Sequence, residues 1–326
     1  VNIIFLKSDV NLIEDVLGNY DLSKLLNDKA YNLLTSMSID GVLSIRQRHD
    51  IADVLRDMAT SLEWLDLVQA HKLMKRALYY RPDGPFLNKK MQQYCRYLEV
   101  AKNGLCEVNG VSLSFPKQPP ISLLRSLADG SYEHKEAELV AYAIDRDDRV
   151  LELGAGVGFM GITVMRCCEP AHYVAYEANP ELLSYIQHNQ KLNNISFDIH
   201  NAVLLEEEST QPFYVTPAFW GSSLLQPKEG AYQQVEVPAL NKHLVMAELL
   251  PTVLIIDIEG GESAFFEGLN LNSVMKIIVE IHPQILTDSE LTAIYKTLID
   301  AGFLLDFKVS GRQELFWYRR DIKEAA

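Results

Sequence analysis

The chain has 326 residues, 48% of them hydrophobic and 23% charged, with a formal net charge of −14. That composition excludes collagen-like, low-complexity and natively disordered chains, and the length allows two domains. Residues 1–130 carry 16 basic and 15 acidic side chains and residues 131–326 carry 14 and 29, so the acidic second half repels a phosphate backbone and argues against a nucleic-acid partner.

Apolar runs such as Thr252–Ile256 are strand-sized, too short to span a bilayer, and no leader-like basic, apolar and small-residue succession opens the chain. The four cysteines, Cys95, Cys106, Cys167 and Cys168, form no CxxC pair. A reduced, cytoplasmic protein with no membrane partner and no structural zinc is therefore the expectation.

In chain order, residues 1–103 read as a helical N-terminal domain. Ile51–Leu67 and Val68–Tyr80 space apolar residues three and four apart, Arg81-Pro-Asp-Gly-Pro breaks the pattern, and Met91–Ala101 resumes it. Residues 104–130 read as a hairpin around Asn109-Gly110 followed by a linker at Pro116–Pro120. A helix over Tyr132–Ile144 opens the third segment, 131–326. Strand and helix patterns then alternate, with strands expected at Val150–Leu153, Tyr173–Tyr176, Ser196–His200, Thr252–Asp257 and Lys276–Ile281. Such alternation marks an α/β fold with a parallel sheet covered on both faces. Leu304–Val309 and Glu314–Tyr318 read as a closing antiparallel hairpin around Gly311.

Four motifs carry chemistry. Val150-Leu-Glu-Leu-Gly-Ala-Gly-Val-Gly-Phe159 runs a strand through three alternate glycines into a helix at Met160–Arg166. Glycines let the backbone turn tightly against a ligand, and the helix start offers free N–H groups. A dinucleotide loop needs a small residue where Phe159 stands, so a nicotinamide-dependent dehydrogenase is disfavoured. Glu177 follows at the end of the next strand, where a carboxylate can accept both hydroxyls of a ribose. Asp257 and Glu259 share one face at the end of a third strand, and Glu280 and His282 share one face at the end of a fourth. Asp257, Glu259 and His282 are the candidate catalytic groups, able to take an acceptor proton directly or through a metal such as Mg2+. Glu262 is equally a helix-start residue.

These pieces in this order resemble the FkbM-type methyltransferase family over about residues 130–320. The matching runs are Leu151–Phe159, Tyr176-Glu-Ala-Asn-Pro-Glu181, Asn193-Asn194, Asn201-Ala202-Val203, Ile256-Asp-Ile-Glu-Gly-Gly-Glu262 and Val279-Glu-Ile-His282. The resemblance implies a class I methyltransferase Rossmann-like fold, seven strands with an antiparallel last hairpin, S-adenosylmethionine as cofactor, and O-methylation of a sugar or secondary metabolite. Carried over by position, Gly154, Ala155, Gly156 and Gly158 line the methionine part of the cofactor, with Glu152 at the family's acidic position, where Asp is usual. Glu177 holds the ribose, Asn179, Asn201 and Ala202 lie near the adenine, and Tyr132, Glu133 and Asp257 face the cofactor. Ile255 stands where members often have Lys, which puts the acceptor side in doubt.

The acceptor is expected to be a small molecule, with Pro212–Val237 as its wall and Trp220, Ser222 and Ser223 as its contacts; an aromatic beside hydroxyls suits a sugar or a polyketide. Transfer to nitrogen of a small molecule or peptide, and a non-catalytic cofactor-binding module, are the alternatives. The helical N-terminal domain, outside the resemblance, suits a homodimer contact, a cap on the acceptor site or the docking of a partner.

Overall fold

The computed structural model describes residues 44–117, 119–216 and 221–320. The chain divides into two compact units, 1–103 and 104–326. In the first, α1 (Ile45–Leu62), α2 (Leu67–Tyr80) and α3 (Pro85–Asn103) follow one another. Ser44 and Gln47 cap α1 reciprocally, and the Asp66 side chain accepts the Gln69 N–H at the start of α2. That second cap explains why α1 stops at Leu62 and not at the expected Leu67: the apolar spacing continues, but a new helix start interrupts it. Leu55, Met58, Ala59 and Leu62 of α1 and Leu73, Met74 and Ala77 of α2 are buried. Wholly inside this unit, Glu63 accepts from Lys90 Nζ at 2.7 Å and from Tyr94 Oη at 2.6 Å.

The second unit opens on the expected hairpin, β1 (Leu105–Val108) and β2 (Val111–Ser114), turning at Asn109 and Gly110 with φ of 49° and 79°. Both central residues have positive φ, as a primed turn requires. Helices α4 (Ile121–Asp129) and α5 (His134–Ala143) lead into the sheet strands β3 (Arg149–Leu153), β4 (His172–Tyr176), β5 (Asp198–His200), β9 (Val253–Ile256), β10 (Lys276–Glu280), β11 (Leu304–Leu305) and β12 (Glu314–Tyr318). The stretch 104–130 is thus part of the second unit, with Pro116, Lys117, Pro119 and Pro120 of the expected linker outside any helix or strand and α4 after them.

The seven-stranded sheet has the order β11-β12-β10-β9-β3-β4-β5; β12 alone runs antiparallel to its neighbours. Chain order reverses at β3, so the carboxyl ends of β3, β4, β9 and β10 open a crevice there, the place where such sheets bind ligands. Helices α6 (Phe159–Cys167), α7 (Leu183–Leu192), α8 (Lys242–Leu249), α9 (Glu262–Phe266) and α10 (Asp288–Asp300) complete the layers. Leu151, Leu153, Leu254, Ile256, Ile277 and Val279, at alternate positions of three adjacent strands, form one core with Phe265, Phe266 and Trp317.

The sheets differ from the expected strands in three places. β11 ends at Leu305, not Val309, because Asp306 turns the chain: its side chain accepts the Lys308 N–H and its carbonyl the Ser310 N–H. β5 begins at Asp198, two residues late. Third, a separate sheet of order β6-β8-β7 is built from β6 (Val203–Leu205), β7 (Ser209–Val215) and β8 (Gln233–Asn241). The expected acceptor wall is the long β7–β8 arm; Pro212 is tolerated because β7 is an edge. No helix among the described residues is long and apolar enough to cross a membrane.

Candidate active site

The glycine loop begins where β3 ends. Gly154 takes φ +86°, and its N–H donates to the Tyr176 carbonyl at 2.9 Å. A Cβ at Gly154 would be driven into the backbone carbonyl of Asp257, so only glycine lets β3 and β9 end this close together. Gly156, at φ +56°, donates its N–H to Glu177 Oε2 at 2.7 Å. The other carboxylate oxygen accepts the Asn179 N–H, also at 2.7 Å. Burial pushes the Glu177 carboxyl up to about 7, against the pull of these two N–H groups. Asn201 Nδ2 bonds the carbonyls of Glu177 and Ala178 at 2.8 and 2.9 Å and so fixes the end of β4.

The loop is also held from outside. Wholly buried Asn189 of α7 donates to the Val157 carbonyl at 2.8 Å and to the Ser114 carbonyl at 2.9 Å, and accepts the Ser114 N–H at 2.7 Å. One turn on, Asn193 accepts the Ser112 N–H and donates to the Ser112 carbonyl at 3.0 and 2.7 Å. Two side-chain amides pair β2 as a neighbouring strand would, and one of them reaches the glycine loop.

Beside the loop, the ends of β9 and β10 bring carboxylates around one imidazole. His282 is 3% exposed, and its Nδ1 lies 2.5 Å from Oε1 of wholly buried Glu262. Its Nε2 faces Glu259 Oε2 at 3.3 Å, Asp257 Oδ1 at 3.7 Å and Glu280 Oε1 at 3.8 Å. Burial alone would favour the neutral ring, but the bonds to Glu259 and Glu262 and the charge of Asp257 outweigh it and push His282 up to about 11. The ring expected to serve as a base thus stands among four carboxylates. Burial first, and Glu259 second, hold Asp257 well above the usual carboxylate range. Glu280 is pushed up to about 9 by burial, Asp257 and Glu136. Glu136, Glu280 and Glu314 form an adjoining acidic cluster.

The loop that carries these acids is constrained. Glu259 is a non-glycine residue at φ +48°, and Ser223 Oγ of the β7–β8 arm donates to its carbonyl at 2.8 Å. Gly260 follows at φ +92°, packed on Leu225 and Ile285. Strained backbone of this kind persists where the surroundings hold it.

The family model of the TRM5/TYW2 methyltransferase domain matches residues 130–212, from the end of α4 through the glycine loop and Glu177 into β7. This is an S-adenosylmethionine-dependent methyltransferase domain. The calmodulin-lysine N-methyltransferase of Arabidopsis thaliana is 35% identical over 52 residues, 16% of this chain and 17% of that protein. The match thus spans about a sixth of the curated relative. Among solved structures, a methyltransferase from Pyrococcus furiosus has a TM-score of 0.37 and 13% identity, covering 72% of this chain and 99% of that one. TYW2 of M. jannaschii in complex with AdoMet has a TM-score of 0.36 and 12% identity, covering 66% and 86%. The ribosomal protein L11 methylase of Lactobacillus delbrueckii subsp. bulgaricus has a TM-score of 0.35 and 14% identity, covering 58% and 80%.

The residues of the methyltransferase domain fit that cofactor. A cleft opens at the glycine loop, with more apolar than polar lining. Its lining includes Tyr132, Glu133, Gly154, Gly156, Glu177, Ala202, Ser222, Asp257 and Glu259, all singled out from sequence, together with Leu205, Phe213 and Leu224, which were not. Glu133, at φ +45°, is pushed up to about 8 by burial.

Other expected contacts act from behind this lining. Gly158, at φ +82°, starts α6 against Ile186. Ala155 is buried beside the loop, Asn179 serves Glu177 through its backbone, and Asn201 holds strand ends. Glu152 is 2% exposed, lies outside the cleft lining, is pushed up to about 8 by burial and has a buried Oε2 with no hydrogen-bond partner. Its side chain points away from Leu151 and Leu153 because β3 alternates faces. Ser223 and His282 likewise stand behind the lining. Trp220 lies outside the described residues. The Glu262–His282 pair, the Asn189 and Asn193 clamps and the Ser223–Glu259 link escaped sequence reading, because each joins segments far apart in the chain.

Proposed function

We propose that the protein methylates a hydroxyl oxygen of a small-molecule acceptor, as an FkbM-type enzyme. The observation that carries this reading is the position of Asp257. It lines the same cleft as the glycine loop, and its Oδ1 is buried without a hydrogen-bond partner. A carboxylate of raised pKa is the better base when ionised, and one that lines a cofactor cleft suits a hydroxyl that must lose its proton as the new bond forms. The cofactor, when bound, supplies a methyl group on a sulfonium leaving group. The chain's own task is alignment: Gly154, Gly156 and Glu177 hold the donor end, and Phe213, Ser222 and Leu224 of the arm wall the opposite side.

A second reading, transfer to an amine nitrogen, is favoured by the acidic lining at Glu133, Asp257 and Glu259. An acceptor screen with methyl-labelled S-adenosylmethionine, followed by mass-spectrometric location of the label, separates the two. Labelled hydroxyl compounds support the first reading. Label confined to amines overturns it, and no adenosylhomocysteine formed with any acceptor class would count against both.

A further inference from the structure

We propose that Asp257, Glu259 and His282 form a binding site for one divalent first-row cation of the Mn2+ type, with Glu280 as the nearest further donor and Glu262 as the carboxylate that orients the histidine. Two donors each about 2.1 Å from one ion stand roughly 3.0–3.5 Å apart. His282 Nε2 stands 3.3 Å from Glu259 Oε2, 3.7 Å from Asp257 Oδ1 and 3.8 Å from Glu280 Oε1. One donor atom from each of Asp257, Glu259 and His282 lies within 4.8 Å of the others. The Asp257 and Glu280 separations exceed the about 2.7–3.2 Å of a normal hydrogen bond. The Glu259 oxygen stands at the spacing of donors around a shared ion, and the Asp257 and Glu280 oxygens stand slightly beyond it.

Two further observations point to a ligand there. Asp257 Oδ1, the atom that faces Nε2, is buried and has no hydrogen-bond partner. His282 is 3% exposed and rigidly aimed, because its other nitrogen is held at 2.5 Å by Glu262, itself wholly buried. A ligating histidine fixed through its second nitrogen by a carboxylate is the recurrent outer support of metal sites. The donor set of one imidazole and two or three carboxylates suits Mn2+ or Fe2+ better than a thiolate-seeking ion. Asp257 and Glu259 also line the cleft, so the site borders the space left for the acceptor. An ion there would hold an acceptor oxygen. The inference concerns binding alone and does not depend on which atom is methylated.

The test is titration of chelator-treated, full-length protein with MnCl2, followed by calorimetry and by the loss of free Mn2+ signal in electron paramagnetic resonance. One saturable Mn2+ per chain is expected, weakened at least tenfold by Asp257→Asn. Pulsed resonance of the wild-type complex should show nitrogen hyperfine coupling from the imidazole, a readout that needs no variant. No saturable binding, binding unchanged in Asp257→Asn, or a bound ion without nitrogen coupling would each overturn the site. Adenosylhomocysteine affinity, measured on the same samples without metal, reports separately on the methyltransferase reading.

Discussion

Replacing Glu177 by glutamine separates cofactor recognition from fold stability. Both carboxylate oxygens accept backbone N–H groups, from Gly156 and Asn179. Glutamine leaves one acceptor and turns an amide donor on the other N–H, a loss of about 1–3 kcal/mol. The same change removes a buried charge. Raising the Glu177 carboxyl from 4.5 to about 7 corresponds to roughly 3 kcal/mol between protonation states. Because the folded value is the higher one, that stability is present below pH 4.5 and is lost as pH rises through about 7. Above neutrality the two effects of Glu177→Gln oppose each other, so its melting temperature should stay close to that of the wild type. Cofactor affinity should not. Hydroxyl donors need the ionised carboxylate, so the variant should bind adenosylhomocysteine about 10- to 100-fold more weakly. Wild-type affinity should weaken towards tenfold per unit as pH falls below about 7, while the variant stays flat. Calorimetric titration between about pH 5.5 and 8.5 reads both. A variant within twofold of the wild type, or a wild-type profile without slope, would refute the assignment of Glu177.

Gly154→Ala should abolish adenosylhomocysteine binding and lower the melting temperature, since the new methyl meets the Asp257 carbonyl at a φ of +86°; differential scanning fluorimetry with and without ligand checks this. Asn189→Ala should cost about 2–4 kcal/mol in urea unfolding by leaving three backbone groups without their partner, the Val157 carbonyl buried among them, and Asn193→Ala less, because none of its contacts to β2 is fully buried. Ser223→Ala removes the 2.8 Å bond to the Glu259 carbonyl; we expect turnover to fall severalfold with adenosylhomocysteine affinity unchanged, a split that equal losses in both would contradict.

The donor half of the site was legible because its cues are local. Three glycines in alternation announce a backbone that side chains would obstruct, and Glu177 follows at the length of one strand–helix–strand unit. The acid centre was legible only in its members. Glu262 and His282 are separated by a helix, a turn and a strand, and nothing in either neighbourhood says that they meet. The setting of His282 was hidden for the same reason: only the folded chain brings the carboxylates that raise its pKa around the ring. Of the β6-β8-β7 sheet only Pro212–Val237 was singled out, as a wall, since β6 is three residues long and pairs in parallel with a strand far along the chain.

β12 lies between β11 and β10, although every other strand precedes it in the chain. Its first residue, Glu314, sits across from Glu280 in the register. Until β12 arrives, β10 is an open edge and the acidic end of the sheet lacks a member. Two like charges set face to face repel, so seating this strand works against the acids it completes. The hydrophobic run Leu315–Trp317 behind Glu314, buried on arrival, drives the insertion. The acidic cluster of Glu136, Glu280 and Glu314 is therefore held together by apolar burial one residue further along β12.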